Sequence, residues 1–579
     1  MITAGLHVGH DANAAIVIDG RLAICVEAER ISGVKHVPGK NAAVAALTAA
    51  LNVLGIRPEQ LDGVCVADEA GIFMGLEAKH GEALTRLTHN SPHVMLLDAE
   101  GLGQGNAPLY VCCHGMAHAA SAIRMSGYSD AAILYYDGYG SCSAGFGLNW
   151  RGGALTLVEG TMNRLMVGHR YSQFGYFFDG IKKRMPSGDE EGRIVIADIL
   201  DFAGKIMGAH AYGVAAESDV GDLMEWFSHG DVDVYHAAFM PPPINRDPLP
   251  GLRPDNLYNR LHMGCLPEGE QRSLDVLAAM QEAFSRVVMA AVDDLMSRSG
   301  QERLIVTGGC GLNIVTNERI ARMPQVRELF IPPNCDDRGI SAGAAILLHA
   351  ALSGQPMADP ATWTPESRSP YQGLSMVADA PAPQGIHGAD LDLSDADNLG
   401  RFARALLDER IIGLLQGRSE IGPRALGHRS ILASPLRGEM KDIINRKIKQ
   451  REWWRPFAPV VRSMDADRYF NLSRHDPYML TGGEVRPEYR DRLAAITHVD
   501  GTARVQCLPD RDANPVLWDL LGAFEAVSGI GVLLNTSFNA GGKPLVNLTS
   551  DAFALLRDTG LDSFWMDGRA YWKSDSLWG

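Results

Sequence analysis

Two histidines at helical spacing and two aspartates at turns are the residues of this sequence best suited to hold a metal ion. His114 and His118 stand four residues apart in CCHGMAHAASAIRMSG, a stretch of small residues with helical character. Residues four apart lie about one turn apart on a helix, so both imidazoles can face one direction. Asp137 in YYDGYG and Asp337 in PPNCDDRG offer hard oxygen ligands where strand-like runs end. Two imidazoles with one or two carboxylates suit Fe(II), Mn(II) or Zn(II).

Each of these residues also has a purely structural interpretation. An HxxxH spacing occurs in helices that bind no metal, and it becomes specific only with further ligands. Aspartate before Gly or Arg-Gly forms turns readily, which would account for both Asp137 and Asp337. Spacing alone leaves the choice between turn and ligand open.

A strongly basic segment between 416 and 455 could bind phosphates. It holds ten Lys or Arg residues and four acidic residues, in a chain with a formal net charge of −16. Arg424 follows a rigid Gly-Pro turn and Arg455 precedes a proline, so neither resembles a freely moving surface side chain. Trp453 and Trp454 would add apolar walls that exclude water and strengthen charge interactions. The segment therefore predicts an anion site, with a solvated basic helix as the alternative.

A second polar string would complete this anion site. LLNTSFNAGGKPLV places Asn535, Thr536, Ser537 and Asn539 directly after an apolar strand. Hydroxyls, amides and exposed backbone N–H groups in such a position can cradle phosphates. Guanidinium groups clamp the same oxygens through paired hydrogen bonds. The combination favours a small, highly charged phosphate donor together with a nucleoside triphosphate.

Three further groups could contact a nucleotide or an acceptor. Histidine titrates near neutrality, so His10 in GHDANAA could act as an acid, a base or an acceptor-orienting group; an ordinary turn histidine is the alternative. Gly308, Gly309 and Asn313 of VTGGCGLN resemble a nucleotide loop, although a glycine-rich loop alone is weakly specific. Lys35 could add a phosphate contact.

The elements that must position these residues follow from hydrophobic spacing. The N-terminal residues predict a hairpin with a turn at Asp19 and Gly20, and helical spacing appears over 43–54 and 274–296. Strand-like runs that end in Asp-Gly or Gly-Gly turns recur among these helices. They predict an α/β nucleotide-binding core built from two related halves. A stretch rich in Pro, Ser and Ala between 353 and 390 predicts a linker.

Length and composition limit the function classes. A chain of 579 residues exceeds what one hydrophobic core supports, so two or more domains are expected. The sequence has no run of about 18 apolar residues and no signal-peptide pattern at its start, so we expect a cytoplasmic protein without a membrane partner. Nine cysteines without a CxxC pair argue against a disulfide framework and a thiolate zinc site. The acidic net charge argues against nucleic-acid binding.

Taken together, these strings resemble the O-carbamoyltransferase family of nodulation and antibiotic-tailoring enzymes. The matching strings span nearly the whole chain in one order: HDANAAIVIDG with EAER and KH, HGMAHAASA, DGYGS, GKIMG, TGGCGLN, IPPNCDDRG with SAGAA, QGRSEIGPRALGHRSIL, REWWRPFAP and LNTSFN. The resemblance implies an N-terminal duplicated α/β domain of the actin and Hsp70 class (Kae1-like) over 1–355. A linker region over 356–390 and a C-terminal α+β YrdC-like domain over 391–579 would follow.

The resemblance also implies a division of labour between the domains. The YrdC-like domain would use carbamoyl phosphate and ATP, with Mg²⁺, to form carbamoyl adenylate. The Kae1-like domain would use a divalent metal, with Fe(II) expected and Mn or Zn as alternatives, to transfer the carbamoyl group. The implied acceptor is a hydroxyl of a specialised metabolite.

The same resemblance assigns roles residue by residue. The implied metal ligands are His114, His118, Asp137 and Asp337. The implied phosphate and ATP contacts of the second domain are Arg424, Lys449, Arg455, Arg504, Asn535 and Ser537. The implied nucleotide or acceptor contacts of the first domain are His10, Lys35, Gly138, Gly309 and Asn313. We expect His10, Arg424 and Arg455 to act in catalysis. Asp336 is the alternative to Asp337, which we prefer because it keeps the family spacing to Pro333 and Gly339.

Two other functions remain open at this level. An actin-class ATPase or sugar kinase would share the N-terminal patterns but would leave the basic segment unexplained. A threonylcarbamoyl-type tRNA-modifying enzyme would contain both domain types, but the acidic net charge disfavours it. The acceptor cannot be deduced from the sequence, and we expect its pocket between 211 and 269. The sequence leaves the oligomeric state open, with a homodimer as one expectation.

Overall fold

The computed structural model describes residues 1–67, 94–98, 107–138, 145–161, 167–182, 196–228, 251–265, 269–357 and 368–573. The chain divides into two compact units. The first unit comprises residues 1–127 together with 332–579, and the second comprises 128–331. Within the described ranges, no helix is long and apolar enough to cross a membrane. The predicted domain boundaries at 355 and 391 stay predictions, and part of the predicted linker lies outside the described residues.

The first unit begins with a six-stranded sheet. Its strands are β1 (Ile2–His7), β2 (Asn13–Ile18), β3 (Arg21–Glu27), β4 (Gly63–Ala67), β5 (Met95–Asp98) and β6 (Leu109–Cys112). The accompanying helices are α1 (Glu29–Ser32), α2 (Lys40–Leu54) and α3 (His114–Ser126). The strand order is β3-β2-β1-β4-β6-β5, with β1 to β3 antiparallel and with β4 and β6 continuing parallel to β1. The predicted N-terminal hairpin is confirmed.

The second unit contains a five-stranded sheet. Its strands are β7 (Asp130–Tyr136), β8 (Gly145–Arg151), β9 (Ala154–Leu157), β10 (Arg303–Thr307) and β11 (Glu328–Phe330). Its helices are α4 (Val167–Gln173), α5 (Asp179–Lys182), α6 (Ile196–Ala209), α7 (Glu217–Ser228), α8 (Leu257–His262), α9 (Glu270–Ser299) and α10 (Ile314–Ala321). The order β9-β8-β7-β10-β11 repeats the topology of the first sheet, an antiparallel meander followed by parallel strands. This repetition confirms the predicted α/β core of two related halves.

The rest of the first unit forms a mixed eight-stranded sheet and a small three-stranded sheet. The strands are β12 (His387–Asp390), β13 (Ile412–Leu415), β14 (Arg429–Ala433), β15 (Ala458–Arg462), β16 (Phe470–Leu472), β17 (Gly483–Val485), β18 (Thr502–Ala503), β19 (Gln506–Leu508), β20 (Val532–Ser537), β21 (Ser563–Met566) and β22 (Arg569–Trp572). The helices are α11 (Ile340–Ser353), α12 (Ala396–Leu407), α13 (Glu439–Ile444), α14 (Ser463–Tyr469), α15 (Pro515–Ser528) and α16 (Thr549–Asp558).

The large sheet carries apolar clusters on both faces. Its order is β12-β22-β21-β13-β14-β20-β15-β19, with parallel and antiparallel neighbours. Phe402 of α12 and Leu520 of α15 belong to one buried cluster, whereas Ile444 of α13 and Phe553 of α16 belong to another. Mixed strand directions with helices covering the sheet agree with the α+β character predicted for this part of the chain.

Small residues bring α11 against β1 and α3. A Cβ placed on Gly5 would lie 1.9 Å from the carbonyl oxygen of Ser341, and one on Gly343 would lie 1.7 Å from that of Ala117. No side chain fits at such distances, so these glycines allow close backbone approach. The turn before α11 ends at Gly339. This packing therefore places the turn beside the N-terminal end of α3, where the two histidines lie.

Candidate active site

Four histidines surround the carboxylate of Asp337 in the first unit. The Nε2 atoms of His114 and His118 lie 3.2 Å apart, and they lie 3.7 Å and 3.4 Å from Oδ1 of Asp337. Nε2 of His7 and Nε2 of His10 lie 3.3 Å and 3.4 Å from Oδ2 of the same residue. All are buried except His10, whose side chain is 32% exposed. We call these five residues the histidine cluster.

Electrostatics within the histidine cluster favour a neutral imidazole at His114 and an ionised carboxylate at Asp337. Burial lowers the pKa of His114 well below its usual value, although Asp337 opposes that shift. Burial alone would raise the pKa of Asp337, but its contacts with His10, His118 and His7 hold that pKa well below the usual range. Neutral imidazole nitrogen and carboxylate oxygen are the protonation states that bind metal ions.

His114, His118 and Asp337 present a set of donors that fits one divalent ion. Their donor atoms are separated by 3.2 to 3.7 Å, as neighbouring ligands are around an ion with bonds of about 2.1 Å. Two imidazoles and one carboxylate are the donor set of non-haem Fe(II) sites, and the same set accepts Mn or Zn. Asp336 instead pairs with Arg338, which leaves Asp337 as the carboxylate that faces the histidines.

Asp137 lies in the second unit, directly after β7. Its carboxylate accepts hydrogen bonds from the N–H groups of Gly138 at 2.6 Å and Gly309 at 3.0 Å. The Oδ1 atom of Asn313 accepts a hydrogen bond from the N–H of Thr316 at 3.0 Å, which caps α10. These contacts order the predicted nucleotide loop. The metal role of Asp137 and the nucleotide roles of Gly138, Gly309 and Asn313 stay predictions.

Asp11 orients the partly exposed imidazole of His10. Oδ2 of Asp11 lies 3.0 Å from Nδ1 of His10, and its Oδ1 lies 2.8 Å from Nδ1 of His36 and 2.8 Å from Nη2 of Arg338. Burial alone would raise the pKa of Asp11, but Arg338 and His36 hold it well below its usual value. His10 therefore has a carboxylate near each ring nitrogen, Asp11 at Nδ1 and Asp337 at Nε2, and such surroundings stabilise an added proton on the imidazole. Lys35 lies half-buried in the same turn as His36.

The backbone around Asp11 is also unusual. Asp11 has a φ of 62° and His36 a φ of 55°, both in the left-handed region that residues other than glycine seldom adopt. Such conformations persist where surrounding contacts fix them, and they are frequent at functional sites. The 2.8 Å hydrogen bond between the two side chains supplies such a contact.

Our sequence predictions did not identify His7, Asp11, His36 and Arg338 as members of this site. His7 and Asp11 flank His10, and Arg338 directly follows Asp337. The charged strings HDANAA, EAER and KH were the available signal, because charged residues inside an otherwise apolar lobe need partners. Asp337 and Arg338, which complete the set, lie more than 300 residues away along the chain, so only the fold brings them to these strings.

Five cations form a second cluster in the first unit. They are Arg424, Lys449, Arg451, Arg455 and Arg504, which we call the cation cluster. Burial lowers the pKa of Arg424 to about 10, with a further contribution from Arg455. Burial and neighbouring cations also hold the pKa values of Lys449, Arg451 and Arg504 well below their usual range. Buried cations that repel one another favour a bound anion.

In the part of the chain that the structure describes, two acids interact with the cation cluster. Nη1 of Arg455 lies 3.9 Å from Oε2 of Glu452, and Asp336 attracts Arg424. Among the described residues, these two acids against five cations leave a local positive charge, as the basic segment predicts. The fold brings together the four predicted cations and adds Arg451, whose guanidinium stacks at 4.6 Å from the Phe457 ring centre.

The strand end at Ser537 borders the cation cluster. Nζ of Lys449 donates to Oγ of Ser537 at 3.0 Å and to Oδ1 of Asn539 at 2.6 Å. Asn535 is fully buried in β20, and its Nδ2 donates to Oε1 of Gln506 at 2.7 Å. Ser537 therefore lies against the ammonium group of Lys449, whereas Asn535 ties β20 to Gln506 of β19. Their substrate contacts stay predictions.

One predicted feature of this site is wrong. Trp453 is 54% exposed at a turn, so it does not form an apolar wall that excludes water. Trp454 is partly buried and keeps part of that role.

Comparison with known proteins places the chain in a family. The carbamoyltransferase N-terminus model matches residues 95–346, and the carbamoyltransferase C-terminus model matches residues 403–573. The chain is 30% identical over 588 residues to nodulation protein NolNO of Sinorhizobium fredii, covering 96% of this chain and 77% of that protein. This chain belongs to the carbamoyltransferase family. As a carbamoyltransferase, it is an enzyme, as the sequence predicts.

Two further relatives extend the comparison of this carbamoyltransferase. Nodulation protein U of Rhizobium tropici is 28% identical over 599 residues, covering 99% of this chain and 96% of that protein. The 3'-hydroxymethylcephem-O-carbamoyltransferase of Amycolatopsis lactamdurans is 32% identical over 388 residues, covering 65% of this chain and 66% of that protein. The predicted family resemblance is confirmed.

The histidine cluster makes a prediction about metal content. We expect the carbamoyltransferase, purified without oxygen and loaded with Fe(II), to hold about one ion per chain, and His118→Ala to bind at least about tenfold more weakly. The change removes one of two adjacent imidazole donors. Elemental analysis after desalting measures the iron content of each variant. His475→Ala, which changes a surface histidine, is the matched control. Equal iron content in His118→Ala and the control would remove the metal assignment.

Proposed function

We propose that this protein is an ATP-dependent O-carbamoyltransferase that acts in two steps. It forms carbamoyl adenylate from carbamoyl phosphate and ATP, and it then transfers the carbamoyl group to a hydroxyl of a small specialised metabolite. The observation that carries the proposal is the presence, in one compact unit, of an undercompensated cation cluster and a histidine cluster. The relative from Amycolatopsis lactamdurans supports a hydroxyl acceptor, because its name describes O-carbamoylation of a hydroxymethyl group.

The first step belongs to the cation cluster. Hydrolysis of carbamoyl phosphate gives carbamate and phosphate; a carbamate oxygen then attacks the α-phosphorus of ATP, and the bond to pyrophosphate breaks. Negative charge develops on the phosphate oxygens, and fixed guanidinium groups stabilise it. Arg424 and Arg455 are half-buried, so they are accessible to such ligands while remaining partly shielded from water. ATP is needed because carbamate itself is a poor electrophile, and AMP makes a better leaving group.

The second step belongs to the histidine cluster. The acceptor hydroxyl gives its proton to Nε2 of His10 as its oxygen attacks the carbamoyl carbon, and AMP leaves. Asp11 holds His10 in the required orientation and stabilises the imidazolium that forms. When bound, a divalent ion held by His114, His118 and Asp337 would polarise the carbonyl group and neutralise phosphate charge. Fe(II) fits this donor set best, and Mg²⁺ would accompany ATP.

The two clusters adjoin each other in the first unit. The turn that carries Arg424 packs on the segment that carries Asp337, since a Cβ on Gly422 would lie 2.2 Å from the carbonyl oxygen of Pro333. A carbamoyl adenylate hydrolyses in water, so a short path between its formation and its use protects it. This proximity supports direct passage of the adenylate between the clusters. The predicted acceptor region at 211–269 falls partly outside the described residues.

The products distinguish this proposal from the alternatives. With carbamoyl phosphate, ATP and Mg²⁺, we expect AMP and pyrophosphate, and an acceptor that gains the mass of one carbamoyl group in mass spectrometry. An actin-class ATPase or sugar kinase would release ADP instead. A threonylcarbamoyl-type enzyme would bind tRNA, which a gel shift detects. Formation of ADP without AMP, whether or not carbamoyl phosphate is present, would refute the adenylate route.

A further inference from the structure

A buried contact in the first unit joins β3 and α1 to the turn that carries Arg424. The N–H of Gly422 donates to Oε1 of Glu27 at 2.7 Å, and Nη2 of Arg30 donates to the carbonyl oxygen of Gly422 at 2.9 Å. Arg30 and Glu27 also pair with each other at 2.7 Å, and both side chains are buried. We call this arrangement the Glu27–Arg30 clasp. It holds both polar backbone groups of a single residue.

The position of Gly422 is restricted on its other side as well. Its φ is 91°, a left-handed conformation that favours glycine, and a Cβ there would lie 2.2 Å from the carbonyl oxygen of Pro333. Pro423 follows and fixes the backbone of the next residue. Arg424 therefore leaves this turn in a direction that the clasp and the Pro333 contact determine.

The far end of the same loop has its own anchor. Oε1 of Glu420 accepts hydrogen bonds from the N–H groups of Leu426 at 2.7 Å, His428 at 2.8 Å and Arg429 at 3.1 Å. Glu420 is buried, so these charge-assisted bonds hold the loop firmly. Arg424 lies between the two anchors. Glu420 fixes one side of it from within the loop, and the clasp fixes the other side from a separate segment of the chain.

The clasp buries charged groups, which costs free energy and contributes little to the stability of a fold. Burial raises the pKa of Glu27 to about 7 even though Arg30 and Arg338 attract its charge. Replacing buried ion pairs by apolar residues is often neutral or stabilising, so an ion pair at this place is weak support for a stability role. A role in geometry accounts better for charged groups that bind a peptide unit at both its N–H and C=O.

The clasp also reaches the histidine cluster. Oε2 of Glu27 lies 3.5 Å from Nε of Arg338, and Nη2 of Arg338 lies 2.8 Å from Oδ1 of Asp11. Arg338 directly follows Asp337. A single buried network therefore extends from the turn before Arg424 to the residues that orient His10.

We propose that Glu27 and Arg30 are positioning residues for the adenylating step. They hold Gly422 in place and so position Arg424 within the cation cluster, although neither residue belongs to that cluster. The assignment rests on the proposed function, because it takes Arg424 to bind phosphate in that step. It implies that residues of the N-terminal sheet control a reaction in the C-terminal part of the chain.

The first test removes the acceptor of the Gly422 N–H. We expect Glu27→Ala to lower the kcat of carbamoyl-phosphate-dependent pyrophosphate release by about tenfold to hundredfold, because small displacements of a catalytic group have effects of that size. Glu27→Gln keeps an oxygen that accepts the same hydrogen bond, so it should recover most of the rate. Glu59→Ala, which changes an exposed glutamate, is the matched control. Thermal unfolding of each variant shows that the chains are folded.

A double-mutant cycle separates positioning from general weakening. In an Arg424→Lys background, Glu27→Ala should lower the rate by no more than about twofold, because Arg424 is already changed. In a Ser537→Ala background, Glu27→Ala should lower the rate by the same factor as in the wild type. Full multiplication in both backgrounds, or a wild-type rate in Glu27→Ala, would overturn the inference. If Glu27→Ala does not fold, Arg30→Met enters the same cycle. A wild-type enzyme that releases no pyrophosphate would instead refute the proposed function.

Discussion

Arg455→Ala is expected to abolish carbamoyl-phosphate-dependent pyrophosphate release, with a loss of at least about a hundredfold in kcat/KM. The Arg455 guanidinium lies near Arg451 and Arg504, whose pKa values are lowered by burial and by neighbouring cations, and its Nη1 lies 3.9 Å from Oε2 of Glu452. Its charge is therefore available to phosphate oxygens on which negative charge develops. A coupled pyrophosphate assay with ATP and carbamoyl phosphate measures the effect.

Arg446 offers the matched control for this change. It lies nine residues earlier in the same basic segment, and its side chain is exposed. Arg446→Ala removes the same charge from the segment and should leave pyrophosphate release within about twofold of wild type, as surface changes usually do. Equal losses in both variants would mean that overall charge, and not the cation cluster, governs the first step.

His114→Ala is expected to separate the two steps. It should retain most pyrophosphate release but lower transfer to a hydroxyl acceptor by at least about a hundredfold. The Nε2 atom of His114 lies 3.2 Å from that of His118, so the change removes one of the two adjacent imidazoles that we propose as metal ligands. Pyrophosphate release and carbamoylated product are measured on the same sample, with His475→Ala as the control.

The combination of the two variants gives the decisive pattern. Arg455→Ala should lose both pyrophosphate and product, because the second step depends on the first. His114→Ala should lose product alone. Equal loss of both activities in His114→Ala would count against separate clusters for the two steps.

The sequence predicted the parts of the fold that depend on local pattern. Helical spacing over 43–54 and 274–296 appears in the structure as α2 and α9. The HxxxH spacing lies on α3, which begins at His114 and is buried throughout, so the two imidazoles share one side as predicted. Repeated Asp-Gly and Gly-Gly turns indicated two related halves, and the strand orders of the two sheets agree.

What the sequence could not predict depends on contacts between distant segments. Asp11 acquires its role only when Arg338 lies 2.8 Å from its carboxylate, and Glu27 acquires its role through Gly422. No local pattern encodes those distances. In the sequence, Arg451 cannot be distinguished from the other residues of the basic segment. In the structure, its guanidinium stacks on Phe457 within the cation cluster. The predicted burial of Trp453 was wrong for a similar reason. The hydropathy of tryptophan favours burial, but this residue lies in a turn with its ring exposed.

The most direct test of the two-step account is to look for carbamoyl adenylate itself. The His114→Ala enzyme is mixed with carbamoyl phosphate, ATP and Mg²⁺ without acceptor, quenched within a single turnover, and examined by mass spectrometry. We predict a species with the mass of carbamoyl adenylate, formed together with pyrophosphate and missing when Arg455 is also replaced by alanine. Release of ADP with no adenylate, in an enzyme that still carbamoylates its acceptor as wild type, would contradict the account.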